Sequence, residues 1–195
     1  MIDILRESTS QLHQSLESQL GGFTSVNTVA RYRALLRCYR ALFGDLRTEW
    51  QRHPIALDWS PNLDQRIADL DTDLSQLPSV PAHPTGDEAF SLPRLDAVGL
   101  RAGCLYVVEG SALGGLMLAR DFATRIPELT DDSLHFFQGA GPAATSRRWR
   151  AFMAWLASRE WTTPETTAAT NCATATFAYF SARLSPAMPN ESACA

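Results

Sequence analysis

The sequence predicts an all-α fold in a single domain. Apolar residues recur at three-and-four spacing along almost the whole chain, and no stretch alternates apolar with polar residues as a half-buried strand would. The length agrees: 195 residues with 45% hydrophobic side chains can bury on the order of 70% of the unfolded surface, enough for one core.

Each element has its own signal. Ile4, Leu5, Leu12, Leu16 and Leu20 mark a first helix from about Asp3 to Ser18, stopped by Gly21-Gly22. Val29, Tyr32, Leu35, Leu36, Tyr39, Leu42, Phe43, Leu46 and Trp50 mark a second over Asn27 to Arg52, ended by Pro54. Ser60-Pro61 reads as a capping serine with proline at the first helical position, starting a third helix that runs through Leu74; Thr163-Pro164 repeats the signal. Between Leu77 and Pro93, Pro78, Pro81, Pro84 and Gly86 predict a loop. Helices over Asp96–Arg125, Ala143–Arg159 and Glu165–Leu184 follow, for seven or eight in all. The domain is expected over 1–185, with 186–195, "PAMPNESACA", as a disordered tail.

The helix around "LYVVEGSALGGLMLARDF" poses a question. Leu105, Val108, Ala112, Leu116 and Ala119 keep helical spacing, yet Gly110, Gly114 and Gly115 interrupt the run, at about 1 kcal/mol of propensity each. Tyr106, Gly110 and Gly114 stack at i, i+4, i+8 in one stripe, a flat groove headed by a tyrosine. Two readings stay open: close packing against another helix, or room for a large planar ligand.

Composition removes several function classes. A net charge of −4 lacks the basic footprint of a nucleic-acid binder. All 17 basic residues are arginine, which excludes Schiff-base chemistry on lysine and a P-loop. Cys38, Cys104, Cys172 and Cys194 form no CxxC pair, and "MIDILREST" lacks the apolar stretch of a signal peptide, so a reduced, cytoplasmic protein is expected. No apolar run approaches the ~18–20 residues of a membrane span by this reading, and no membrane association is expected.

The first helix carries the chemistry. In "STSQLHQSLE", Glu17 follows His13 by four residues on the same face, so its carboxylate can accept a hydrogen bond from the imidazole. That is how a metal-bound histidine is oriented and made more basic.

The pair "LRESTSQLHQSLE" and "LYVVEGSALGG", in that order in an all-helical chain, resembles the bacterial haem oxygenases, most of all the bacteriophytochrome-associated type. The likeness spans about Leu5 to Leu184 and includes "FFQGAG", "RRWRAFMAWL" and "ATATFAYF". It implies haem held between the first helix and a glycine-containing, kinked distal helix. His13 matches the histidine that ligates haem iron, and Glu17 its hydrogen-bonding partner. Gly110 and Gly114 match the glycines whose backbone lies over the haem face, and Tyr106 and Arg6 match groups near the propionates. Of Arg147, Arg148 and Arg150, the resemblance favours Arg150 for a propionate, which a guanidinium holds bidentately. Ser111 stands where mammalian-type members carry an aspartate that orders water near bound oxygen.

The activity so implied is cleavage of haem by dioxygen to biliverdin, carbon monoxide and iron. Haem is substrate and cofactor together, an external donor of reductase, ferredoxin or flavodoxin type supplies electrons, and a bacteriophytochrome is the candidate consumer of the bilin. The same residues would also serve a haem carrier that does not degrade its ligand. A non-haem enzyme on a similar fold is a weaker alternative: His135 follows Asp132 at i+3, but no Glu-x-x-His occurs. Cys104 is expected in the core, and His53 and His83, each before a proline, in solvated loops.

Overall fold

The computed structural model describes residues 1–19, 23–79 and 91–187, with the side chains of all of these except 14–19 and 186. Among the described residues seven α-helices follow one another: α1 (Ile2–Gln19), α2 (Val29–Arg52), α3 (Leu63–Gln76), α4 (Val98–Arg125), α5 (His135–Gln138), α6 (Pro142–Ser158) and α7 (Thr163–Leu184). There is no strand among the described residues. Single 3-10 turns cover Asp131–Ser133 and Ser185–Ala187, the latter burying Ala187. The expected stop at Gly21-Gly22, most of the proline-rich loop with His83, and 188–195 with Cys194 lie outside the described residues.

Helix α4 is the axis of the molecule, about 42 Å long at 1.5 Å per residue. It packs against α5, α6 and α7, while α2 packs against α3 and α7, and α1 lies on α7. Contrary to the expectation from sequence, α4 does have the length and composition of a membrane span, with a mean hydropathy of 1.5. Half of that window is buried inside the protein, and what makes it so apolar is its use as a core element.

Glycine is what lets α4 occupy the centre. A Cβ on Gly103 would lie 2.0 Å from the carbonyl oxygen of Ala169, and one on Gly99 would lie 2.5 Å from that of Glu165, both in α7. The two helices therefore meet backbone to backbone. Gly115, on another side of α4, takes the Phe137 carbonyl of α5 at 3.1 Å from its Cβ position. Close packing, one of the two readings of the glycine-rich helix, accounts for these three.

The rest of the core is aromatic. Tyr32 and Tyr39 of α2 meet Phe122, Phe136 and Phe137 at ring separations of 5.0–6.1 Å, two of the four pairs edge to face and two tilted, and the edge-to-face pairs follow the ring quadrupoles. The short α5, which sequence periodicity missed, is held by a side chain from elsewhere. Fully buried Asp73 of α3 accepts from the backbone N–H groups of His135 and Phe136 and from His135 Nδ1, each at 2.9 Å. His135 thus pairs with Asp73 of α3 in capping α5, and not with Asp132.

Turn chemistry follows local rules with one correction. Gly139 and Gly141 take φ of 52° and 87°, the region that glycine enters at no steric cost, which explains "GAG" between α5 and α6. Thr162 and Glu165 form a reciprocal capping box at the start of α7. Ser60, however, does not cap α3, which begins at Leu63 behind Asn62. The Ser60 carbonyl instead accepts from Arg148 at 2.9 Å, which ties the segment to α6.

Two measurements test this account. Gly103→Ala should lower stability by about 1–3 kcal/mol net, because overpacking at backbone outweighs the gain in propensity; the thermal midpoint should fall by roughly 2–12 °C. The bond to Asp73 raises His135 above its ordinary pKa of 6.5. Its stabilisation is therefore complete below about pH 6.5 and is lost as pH rises through the raised value. Denaturant midpoints against pH should decline across that window in the wild type, and less steeply in His135→Gln.

Candidate haem site

The expected site residues are carried on α1, α4 and α6, and α7 packs against both α1 and α4. On α1, Arg6 and His13 are seven residues apart, hence on one face, and both are exposed. The His13 ring stands edge-on to Phe177 of α7, with centroids 6.1 Å apart and planes at 70°. Arg6 pairs with exposed Asp3 at 3.3 Å, a pairing that water screens. The Glu17 side chain lies outside the described residues. Helix α1 packs on α7 and touches α6, but does not pack along α4.

On α4, Gly99, Gly103, Tyr106, Gly110, Gly114 and Met117 fall within roughly 40° of one line at about 100° per residue. The stripe changes character along its length. At Gly99 and Gly103 it is filled by α7 backbone. At Gly110 the Trp149 ring of α6 takes the space, with Cζ3 and Cη2 at 3.6 and 3.7 Å from the Cβ position, and the Tyr106 ring lies 5.7 Å from the same indole. Among the described residues nothing lies within 4 Å of the Cβ position at Gly114, and Met117 beyond it is 75% exposed. Side-chain-free backbone with open space before it is what a flat ligand requires.

Ser111 Oγ donates to the Val108 carbonyl at 2.8 Å, in its own helix. The hydroxyl proton is thereby engaged, while its lone pairs remain able to accept. Among the three arginines of α6, Arg148 is committed elsewhere: its Nε donates to Glu109 Oε2 at 2.7 Å and its Nη2 donates to Oε1, over the ring of Trp59. It is no longer a propionate candidate. Arg147 and Arg150 are exposed.

Buried Glu109 was missed in the sequence, although it adjoins the motif glycine in "VVEGS"; a carboxylate on an apolar helix was the available signal. It also accepts from Trp59 Nε1 at 3.0 Å. Cys38, Cys104 and Cys172 lie in the core, as expected of Cys104: burial pushes the Cys104 thiol well up and Cys172 up to about 11, which leaves both protonated. A cleft of about 320 Å³ opens on the opposite side of α4, lined by Leu116, Ala119, Arg120 and Ala123 with Leu134 and Gln138. It does not include the glycine stripe.

An all-helical chain with a lone histidine on one helix and a partly open glycine stripe on another has the makings of a haem site. The heme oxygenase family model matches residues 1–185, and the chain belongs to that family of haem-degrading enzymes. Comparison with curated proteins gives no match. A flat ligand such as haem needs side-chain-free backbone, and Gly114 offers it, since a Cβ there would meet none of the described residues within 4 Å.

Gly114→Leu adds four carbons to that space and gains helix propensity, so it should fold and yet bind haem at least about tenfold more weakly. Haem titration followed at the Soret band, beside a thermal melt, checks both halves.

Proposed function

We propose that this enzyme opens haem oxidatively to biliverdin, carbon monoxide and iron, using dioxygen and electrons from an external donor of reductase, ferredoxin or flavodoxin type. The observation that carries the reading is the open Gly114 on a stripe whose other glycines are covered. Haem supplies the iron and is itself the ring that is oxidised; the protein holds and orients it.

His13 is the iron ligand in this reading, with Glu17 one helical turn away to accept its other ring N–H and so hold it neutral and correctly turned. A neutral imidazole, unlike a thiolate, does not strongly drive oxygen–oxygen cleavage, which leaves oxidation directed at the ring. Gly114 admits the macrocycle to the α4 backbone, and Gly110, expected to do the same, instead takes the Trp149 ring at the edge of that space. Ser111, its proton turned to Val108, can accept a hydrogen bond from water at the distal face. Arg6, Arg150 and Tyr106 are the groups for the propionates. The reaction takes place in the cytoplasm in this reading, and the bilin goes to a bacteriophytochrome.

The decisive experiment supplies the ferric haem complex with a reductase and air, with catalase present so that free peroxide does not imitate turnover. The Soret band should disappear as biliverdin and carbon monoxide form. Haem that stays intact under these conditions would leave a haem carrier. His13→Ala should lose the histidine-ligated optical and EPR spectrum; an unchanged spectrum would remove His13 from the iron.

A further inference from the structure

We propose that Trp149 is the end wall of the haem site and decides which meso edge of the ring is oxidised, and that Glu109, through Arg148, is the positioning residue that holds this wall in place. The proposal rests on the haem-cleaving reading above and specifies the regiochemistry of the same site.

The stripe on α4 has a filled end at Gly99 and Gly103 and an open end at Gly114, and the indole of Trp149 stands at the boundary, over Gly110. It is boxed in by aromatic neighbours, with Tyr106 at 5.7 Å and Phe152 at 5.8 Å between centroids. A planar ligand laid on the open backbone can advance along α4 only until it meets this ring. The four meso carbons of a porphyrin differ by rotation and small translation in the plane, so a hard stop at one end discriminates among them.

A wall must be immobile, and the residue before it explains how it is fixed. Arg148 is joined to buried Glu109 by both carboxylate oxygens, donates to the Ser60 carbonyl at 2.9 Å, and lies 5.0 Å over the ring of Trp59. Trp59 in turn donates to Glu109 at 3.0 Å and packs on Phe152 at 5.3 Å. A two-point guanidinium–carboxylate pair is directional as well as strong, and here its carboxylate half is buried while Arg148 is partly exposed. It ties the turn of α6 that carries Trp149 to the turn of α4 that carries Gly110. Glu109 touches no part of the stripe's open space, so its effect on a ligand passes through Arg148 and Trp149.

The test uses the haem complexes of wild type, Trp149→Ala, Trp149→Leu, Trp149→Phe and Glu109→Gln, each checked for helicity and melting. The ring's seating is read from the shifted haem-methyl resonances of the ferric cyanide complex, without turnover, and the biliverdin isomers are then separated by chromatography. Wild type and Trp149→Phe should show one dominant methyl pattern and one dominant isomer. Trp149→Ala and Trp149→Leu should show a second pattern, with the minor isomer rising on the order of tenfold. Glu109→Gln, which leaves the indole in the chain, should move both readouts the same way by less. Wild-type methyl patterns and isomer ratios in folded, haem-loaded Trp149→Ala and Trp149→Leu would overturn the wall. Wild-type behaviour of Glu109→Gln alone would overturn its positioning role. A wild type that takes up no haem would instead overturn the haem-cleaving reading, and this proposal with it.

Discussion

The contact on which the architecture depends is the backbone-to-backbone approach of α4 and α7 at Gly99 and Gly103. A Cβ at either position would displace α7, and α7 is what places everything else: its N-terminal part lies on α4, and further along Phe177 meets His13 of α1. Five glycines in α4 cost about 5 kcal/mol of helix propensity in total, a sum comparable to the net stability of a domain. The helix persists because three of them admit neighbouring backbone, and dense packing returns dispersion contacts over the whole crossing.

The arginines do a second kind of work, at helix ends. Arg33 donates to the carbonyls of Leu74 and Leu77 at the close of α3, at 2.6 and 2.8 Å. Buried Arg101 reaches the carbonyls of Leu95, Trp50 and His53, the last two where α2 ends, with its guanidinium 4.2 Å over the Trp50 ring. Arg125 binds the carbonyls of Phe23 and Val26 in front of α2. The last carbonyls of a helix lack intrahelical partners and carry partial negative charge, and a planar fork that satisfies two or three at once suits them better than an ammonium. The absence of lysine from the chain is thus matched by structural duties that favour guanidinium, and burial lowers the Arg33, Arg101 and Arg125 pKa values without bringing them near neutrality.

The fold was largely legible because it rests on periodicity, which is local. The bounds of α2, α4, α6 and α7 fell within two residues of expectation, and α1 within one. What failed was set by partners distant in sequence. The start of α3 moved because Arg148, 88 residues on, claims the Ser60 carbonyl, and α5 was invisible because Asp73, 62 residues before His135, caps it. The candidate site divides along the same line. Tyr106, Gly110 and Gly114 share one face of α4 by helical spacing alone, whereas the approach of Trp149 to Gly110 and the bond of Glu109 to Arg148 are tertiary contacts that no spacing encodes. Nor did the spacing of Arg147, Arg148 and Arg150 show which one was already engaged.

Glycine in a helix has no meaning of its own, and this chain shows why counting it misleads. Gly103 and Gly110 are seven residues apart on one face and cost the helix the same propensity, yet one admits a carbonyl oxygen and the other an indole. Gly114 and Gly115 are adjacent, and among the described residues a Cβ would meet nothing within 4 Å at the first and the Phe137 carbonyl at the second. The difference is made by what stands opposite, and that is decided by where α5, α6 and α7 cross α4. A ligand groove on such a helix is the part of a packing stripe that neighbouring helices have left uncovered. Its position therefore depends on Gly99 and Gly103, which bring α7 in at one end, as much as on Gly110 and Gly114, which lie at the other.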